Sequence, residues 1–204
     1  MFVTSRRRFA FGGMAIGLVG TTVLGLAGTA QAAVPTCHGK RATIIGTAGN
    51  DNLIGTEGAD VIVGRSGNDY IEGNGGKDLI CGGTGNDVIA GGTGADRIYG
   101  DSGVDLITGN SGSDWISGGS GVDTIVGGSG NDRIYGNSGA DALAGGAGDD
   151  WVSGGDGADD LRGNAGKDTL LGGAGADYLA GGAGRDKLDG GSGVDAVFQG
   201  NGPR

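Results

Sequence analysis

The chain has one histidine, two cysteines and fewer basic than acidic residues. With His38 alone, there is no histidine pair to hold a catalytic metal. Cys37 and Cys81 form no C-x-x-C and no Cys/His cluster, so a zinc site is not expected. No Ser-His-Asp set and no phosphate loop ahead of a helix is present, so we expect no catalytic site and no enzyme activity. The formal charge is -10, and all 24 acidic residues fall between positions 46 and 198. Without Arg6, Arg7 and Arg8 the chain is more negative still. Such a surface repels a phosphate backbone, which argues against nucleic acid as a partner. It suits cations.

Residues 1–32 read as an export signal. Arg6, Arg7 and Arg8 precede an apolar, glycine-interrupted stretch from Phe9 to Ala30, and Ala30-Gln31-Ala32 is an A-x-A cleavage site. Ser5-Arg6-Arg7-Arg8-Phe9 resembles a twin-arginine signal, with Ala10 where Leu is usual; a general secretory signal is the alternative. The glycines weaken the apolar run as a membrane anchor, so no span is expected in the mature chain. The expected location is extracellular.

Glycine is abundant, with 53 residues, but its spacing is neither the Gly-X-Y of collagen nor that of a flexible linker. Every ninth residue from Asp51 to Asp195 is aspartate: Asp51, Asp60, Asp69, Asp78, Asp87, Asp96, Asp105, Asp114, Asp123, Asp132, Asp141, Asp150, Asp159, Asp168, Asp177, Asp186 and Asp195. In this frame, G-x-x-G-x-D-x-U-x, positions one and four are always Gly and position eight is always aliphatic, from Leu53 to Val197. A strict period of nine is the mark of a stacked repeat.

The first six positions of the frame are turn chemistry, and the last three alternate out, in, out as a short strand does. One nonamer gives a turn and a three-residue strand, and two give a coil. Stacked coils form an all-β parallel β-roll of seventeen repeats, with two parallel sheets facing across a thin aliphatic core. We divide the chain into the leader 1–32, an N-terminal cap segment 33–45, the repeat array 46–198 and a tail 199–204. We expect no further domain within residues 1–45 or 199–204.

The frame resembles the calcium-binding nonapeptide of the repeats-in-toxin, or hemolysin-type, family. Gly82-Gly83-Thr84-Gly85-Asn86-Asp87-Val88-Ile89-Ala90 fits that pattern in full, as does Gly127-Gly128-Ser129-Gly130-Asn131-Asp132-Arg133-Ile134-Tyr135. The resemblance implies a β-roll with calcium held between stacked turns, and a stand-alone secreted repeat protein. Two departures from the family stand out. Many members carry a separate toxin or enzyme domain, and many leave the cell through a C-terminal signal.

Stacking sets the Asp of one repeat beside the Asp two repeats on. Like charges one strand spacing apart repel, and a hard divalent cation relieves them. Calcium wants six to eight oxygens, which the seventeen phased carboxylates and the turn carbonyls supply; magnesium would demand a tighter octahedron. The core is thin and the glycine-rich chain is costly to order, so calcium is expected to drive folding. Asp101, Asp149, Asp156, Asp160 and Asp189 lie off the phase and read as surface charges.

Odd and even copies fall on opposite sheets. The outward positions of the even sheet carry Arg97, Tyr99, Trp115, Arg133, Tyr135 and Trp151, and Asp96-Arg97-Ile98-Tyr99-Gly100 recurs as Asp132-Arg133-Ile134-Tyr135-Gly136. This stripe is a candidate ligand face for a glycan or protein partner; cross-strand packing is the alternative. The same sheet begins with outward Val61, Val63, Leu79 and Cys81, an apolar patch that needs a cover. Residues 43–45 resemble a half repeat capping the first coil. Residues 33–41 are expected to fold over the patch, pinned by a Cys37–Cys81 disulfide.

Overall fold

The computed structural model describes residues 34–200 and Gly202; the predicted leader, 1–32, lies outside them. The described chain is all-β and forms a parallel β-solenoid with two nine-stranded sheets. Odd copies build one sheet and even copies the other, with the half repeat Ile44–Ile45 (β3) at the edge of the even sheet. β1 (Thr36–Cys37) and β2 (Lys40–Arg41) precede it as an antiparallel pair. Among the described residues no helix is long and apolar enough to cross a membrane.

Sheet neighbours are eighteen residues apart, so like positions pair with like. Ile98 pairs with Ile80 on one side and Ile116 on the other. The position-eight side chains of both sheets meet in one core from Leu53 to Leu179, and those from Ile62 to Leu179 are almost wholly buried. The register is rigidly set, because a one-residue slip would turn every aliphatic outward and every outward residue in.

The strands are longer than the frame predicts. Most span six residues, as Arg97–Ser102 and Trp115–Ser120 do, so they run on through positions one to three of the next copy. Only positions four to six remain as turn. Ladder pairing skips position one, as in Thr108↔Val126 followed by Asn110↔Gly128. The glycine at position one is buried, as at Gly100, Gly109 and Gly118. It lets the strand bend toward the roll and continue, which a side chain would prevent. Position two then adopts positive φ, even in non-glycines such as Asp101 (φ 73°) and Arg65 (φ 86°). At position four glycine is required from Gly67 onward, whereas Gly49 and Gly58 in the first two copies have room for a Cβ. A Cβ on Gly112, at φ 136°, would overlap the carbonyl oxygen of Gly94 in the coil before.

The N-terminal segment covers the apolar start of the even sheet. Cys37 and Cys81 form a disulfide with Cα atoms 5.8 Å apart. Cys37, Ala42, Val63 and Cys81 make a second buried cluster, with Val61, Leu79 and Tyr99 packed against it. The bond closes a loop with a sequence separation of 44. Loops of that size contribute about 3–4 kcal/mol by restricting the unfolded chain. Cys37→Ser is therefore expected to lower the midpoint of urea unfolding measured in calcium. An unchanged midpoint would show that packing alone holds the cap.

Candidate metal centres

The position-six aspartates line the insides of the turns in two columns, one along each edge of the roll. From Asp60 to Asp186 all fifteen are buried. A carboxylate out of water is costly unless hydrogen-bonded or paired. Half of each carboxylate is provided for by its neighbour. The backbone N–H of each Asp donates to Oδ1 of the Asp two copies later: Asp87 to Asp105 at 2.8 Å, Asp96 to Asp114 at 2.8 Å, Asp105 to Asp123 at 2.9 Å. The pattern runs unbroken from Asp51–Asp69 to Asp177–Asp195.

The other half is not provided for. Oδ2 of fourteen aspartates, every one from Asp69 to Asp186, is buried with no hydrogen-bond partner. These atoms face the bare side of the position-one glycine in their own turn. A Cβ on Gly82 would meet Asp87 Oδ2 at 2.5 Å and the Gly100 carbonyl oxygen at 2.9 Å. A Cβ on Gly91 would meet Asp96 Oδ2 at 2.6 Å and the Gly109 carbonyl oxygen at 2.9 Å. A carboxylate oxygen and a backbone carbonyl thus converge on a space that only glycine leaves open. Among the described residues no three His, Cys, Asp or Glu side chains converge on one point. The donors on offer are all oxygen, and several are backbone, which is the donor chemistry of a hard cation such as calcium.

Asp51 and Asp60 are different. Oδ2 of Asp51 accepts from the Thr47 N–H at 2.6 Å and the Thr47 hydroxyl at 3.0 Å. Asp60 Oδ2 accepts from the Thr56 N–H at 2.8 Å and its hydroxyl at 2.9 Å. The Thr43 hydroxyl adds a bond to Asp60 Oδ1 at 3.1 Å. At Asp195, in the last copy, the carboxylate is only half-buried.

Proton affinities follow this division. Burial pushes the Asp105 carboxyl up to about 7, against the pull of the Asp87 N–H, and the charges of Asp123, Asp87 and Asp101 add to the rise. Asp150 is likewise raised to about 7, and Asp78, Asp114 and Asp141 to about 6, with burial the largest cause in each. At Asp60 burial also pushes upward, but the N–H and hydroxyl of Thr56 and the hydroxyl of Thr43 outweigh it, and the carboxyl is held below its usual range.

The model of the RTX calcium-binding nonapeptide repeat matches residues 45–80, 82–116, 99–134, 108–143, 117–152, 135–170 and 162–197. The chain belongs to this family. It is a calcium-binding RTX β-roll. No curated protein matches the chain.

In this RTX roll the outward stripe divides in two. Tyr99, Trp115 and Tyr135 pack in tilted contact, with successive ring centroids 4.8 and 5.4 Å apart. His38 of the cap, itself exposed, lies on Tyr99 at 3.6 Å. These rings pack across strands and tie the cap to the sheet. Arg97 and Arg133 are exposed, and Trp151 is 39% exposed and stacks on no ring among the described residues. The frame also missed a ladder at position five: the Asn68 N–H donates to Asn50 Oδ1 at 2.8 Å, and the Asn86 N–H to Asn68 Oδ1 at 2.9 Å. The repeated asparagines in odd copies were the available signal. For Thr47 and Thr56 the signal was their shared departure from the residues at position two elsewhere.

Proposed function

We propose that the protein is an exported, non-catalytic β-roll that folds when calcium fills the spaces between its stacked turns. The observation that carries this reading is the row of fourteen buried Oδ2 atoms without a partner. Asp69 to Asp186 are the carboxylates that would hold the ions, together with carbonyls such as those of Gly100 and Gly109. Bound calcium supplies the positive charge that two columns of buried carboxylates need. Asp51 and Asp60 already have donors from Thr47 and Thr56, so the first two turns close without an ion. Asp195 has no later coil to stack on within the array. The disulfide suits an oxidising compartment, which agrees with the export signal read from residues 1–32.

Asp114→Asn separates the two oxygens. The amide oxygen still accepts from the Asp96 N–H, while a neutral NH2 group replaces Oδ2. The variant should bind fewer ions in isothermal titration and weaken the affected turn by roughly tenfold or more. Asp51→Asn should leave both count and midpoint unchanged. Equal effects of the two would show that buried Oδ2 atoms are not what calcium binds.

A second reading is a surface module that binds a glycan or matrix partner, with calcium purely structural. It is favoured by the uncombined basic residues of the even face.

A further inference from the structure

An acidic protein would be expected to use its few basic side chains against its own carboxylates. Here they are held apart. The one ion pair among the described residues is Arg162–Asp160, at 2.9 Å. Lys40, Lys77, Arg97 and Arg133 make no ion pair and donate no side-chain hydrogen bond to a described residue. All four are exposed, and all four line one open groove of about 690 Å³ along the even edge of the roll.

The groove runs across the strands, parallel to the roll axis. Arg97, Trp115 and Arg133 are register partners on three successive strands. At about 4.8 Å per strand, the backbones of the two arginines stand about 9.6 Å apart along the axis, with Trp115 on the strand between them. Lys77 enters from the turn just before Leu79, and Leu79 is the register partner of Arg97. Lys40 comes from β2 at the capped end. Small residues, Ala59, Ala95 and Ser113, stand between the long ones, so the groove is shallow and continuous. Neither Arg97 nor Arg133 lies over an aromatic ring; the one such pairing among the described residues is Arg162 over Tyr178. Both guanidinium groups keep their donors free for a carboxylate or sulfate.

We propose that this groove binds a linear acidic polysaccharide, with its charged groups on Lys77, Arg97 and Arg133 and a sugar ring against Trp115. A row of cations one and two strand spacings apart along a line suits a polymer that carries repeated charges. An apolar ring face between them suits a pyranose. Outside the groove the described surface carries more unburied carboxylates than basic groups, so a duplex or a flat anionic membrane would meet a net negative surface on either side. The proposal rests on the calcium reading in one respect: Asp60, Asp78, Asp96 and Asp114 line the groove, and bound calcium would offset the charge of the last three.

The test uses the leaderless protein in calcium and isothermal titration with polygalacturonate, a sulfated heparin oligosaccharide, neutral dextran and duplex DNA. The acidic glycans should bind and dextran should not. The double variant Arg97→Ala/Arg133→Ala should lose roughly tenfold or more in affinity. The charge-matched Arg185→Ala/Lys187→Ala, outside the groove, should keep it. Circular dichroism separates the two readings. If the arginines serve only to offset the aspartate column, the first variant will shift the calcium midpoint. An unshifted midpoint with lost binding supports the groove. No binding by the folded protein, equal loss in both variants, or DNA bound as well as glycan would overturn it. A roll that folds without calcium yet binds glycan through Arg97 and Arg133 would sink the calcium reading and leave the groove standing.

Discussion

In chelator the chain without its leader is expected to be largely disordered, and added calcium should convert it cooperatively to β-structure. The reason lies in the ratio of what is ordered to what is buried. Each nine-residue copy buries one aliphatic side chain and one carboxylate. It also fixes at least two glycines, whose unfolded freedom is the largest of any residue. The fourteen Oδ2 atoms make matters worse, because each is a charge removed from water with no donor. Ions that bind only the stacked form shift the balance by mass action. Extracellular calcium modules often bind in the ~0.1–1 mM range, and the midpoint is expected there. Magnesium at equal concentration should be a poor substitute, because it holds its water and requires a strict octahedron. Far-UV circular dichroism reads the change directly. A full β-spectrum in chelator, indifferent to calcium, would end this account.

Acid should do part of what calcium does. Carboxyls raised to about 6 or 7, at Asp78, Asp105, Asp114, Asp141 and Asp150, bind protons more tightly in the stacked form than in the unfolded chain. Their contribution to stability is complete below the unfolded value near 3.9. It is lost as pH rises through about 6 to 7. Lowering the pH of the chelated protein from about 8 to about 5 should therefore induce β-structure with no metal present. In calcium the same change should raise the calcium midpoint, because proton and ion compete for Oδ2. Asp60 runs the other way: its lowered carboxyl favours the fold above its unfolded value and loses that contribution as pH falls through its folded one. One such residue does not outweigh the columns. A chelated chain equally disordered at both pH values would show that carboxylate repulsion is not what keeps it unfolded.

Much of this was readable from spacing alone. A period of nine with alternation at positions seven to nine assigns each copy to a sheet and its aliphatic residue to the core, which holds from Leu53 to Leu179, while Val197 in the last copy is exposed. The cap was readable because Val61, Val63 and Leu79 break the polar habit of the outward positions. The length of the strands was not. Glycine at position one reads as a turn signal, yet here it lets the strand bend and continue. Nor did the frame show that Thr47 and Thr56 close their turns with their own N–H and hydroxyl groups. That needs the distance from position two to position six in space, and a threonine in place of glycine registers in sequence only as a misfit. The stacking of His38 on Tyr99 joins residues 61 positions apart and leaves no periodic trace.

The hydrogen bonds of the aspartate columns all point one way. Each Asp amide is held by the carboxylate eighteen residues ahead, never by one behind. A coil is thus completed by its successor. A chain emerging N-terminus first, from a ribosome or through a pore, presents every turn before the residue that secures it has appeared. Assembly must lag emergence by one coil throughout. Interrupting the array at any point would leave the last coil before the break with open amides, while the first coil after it would keep its own amides paired and lose the N–H groups that donate to its carboxylates.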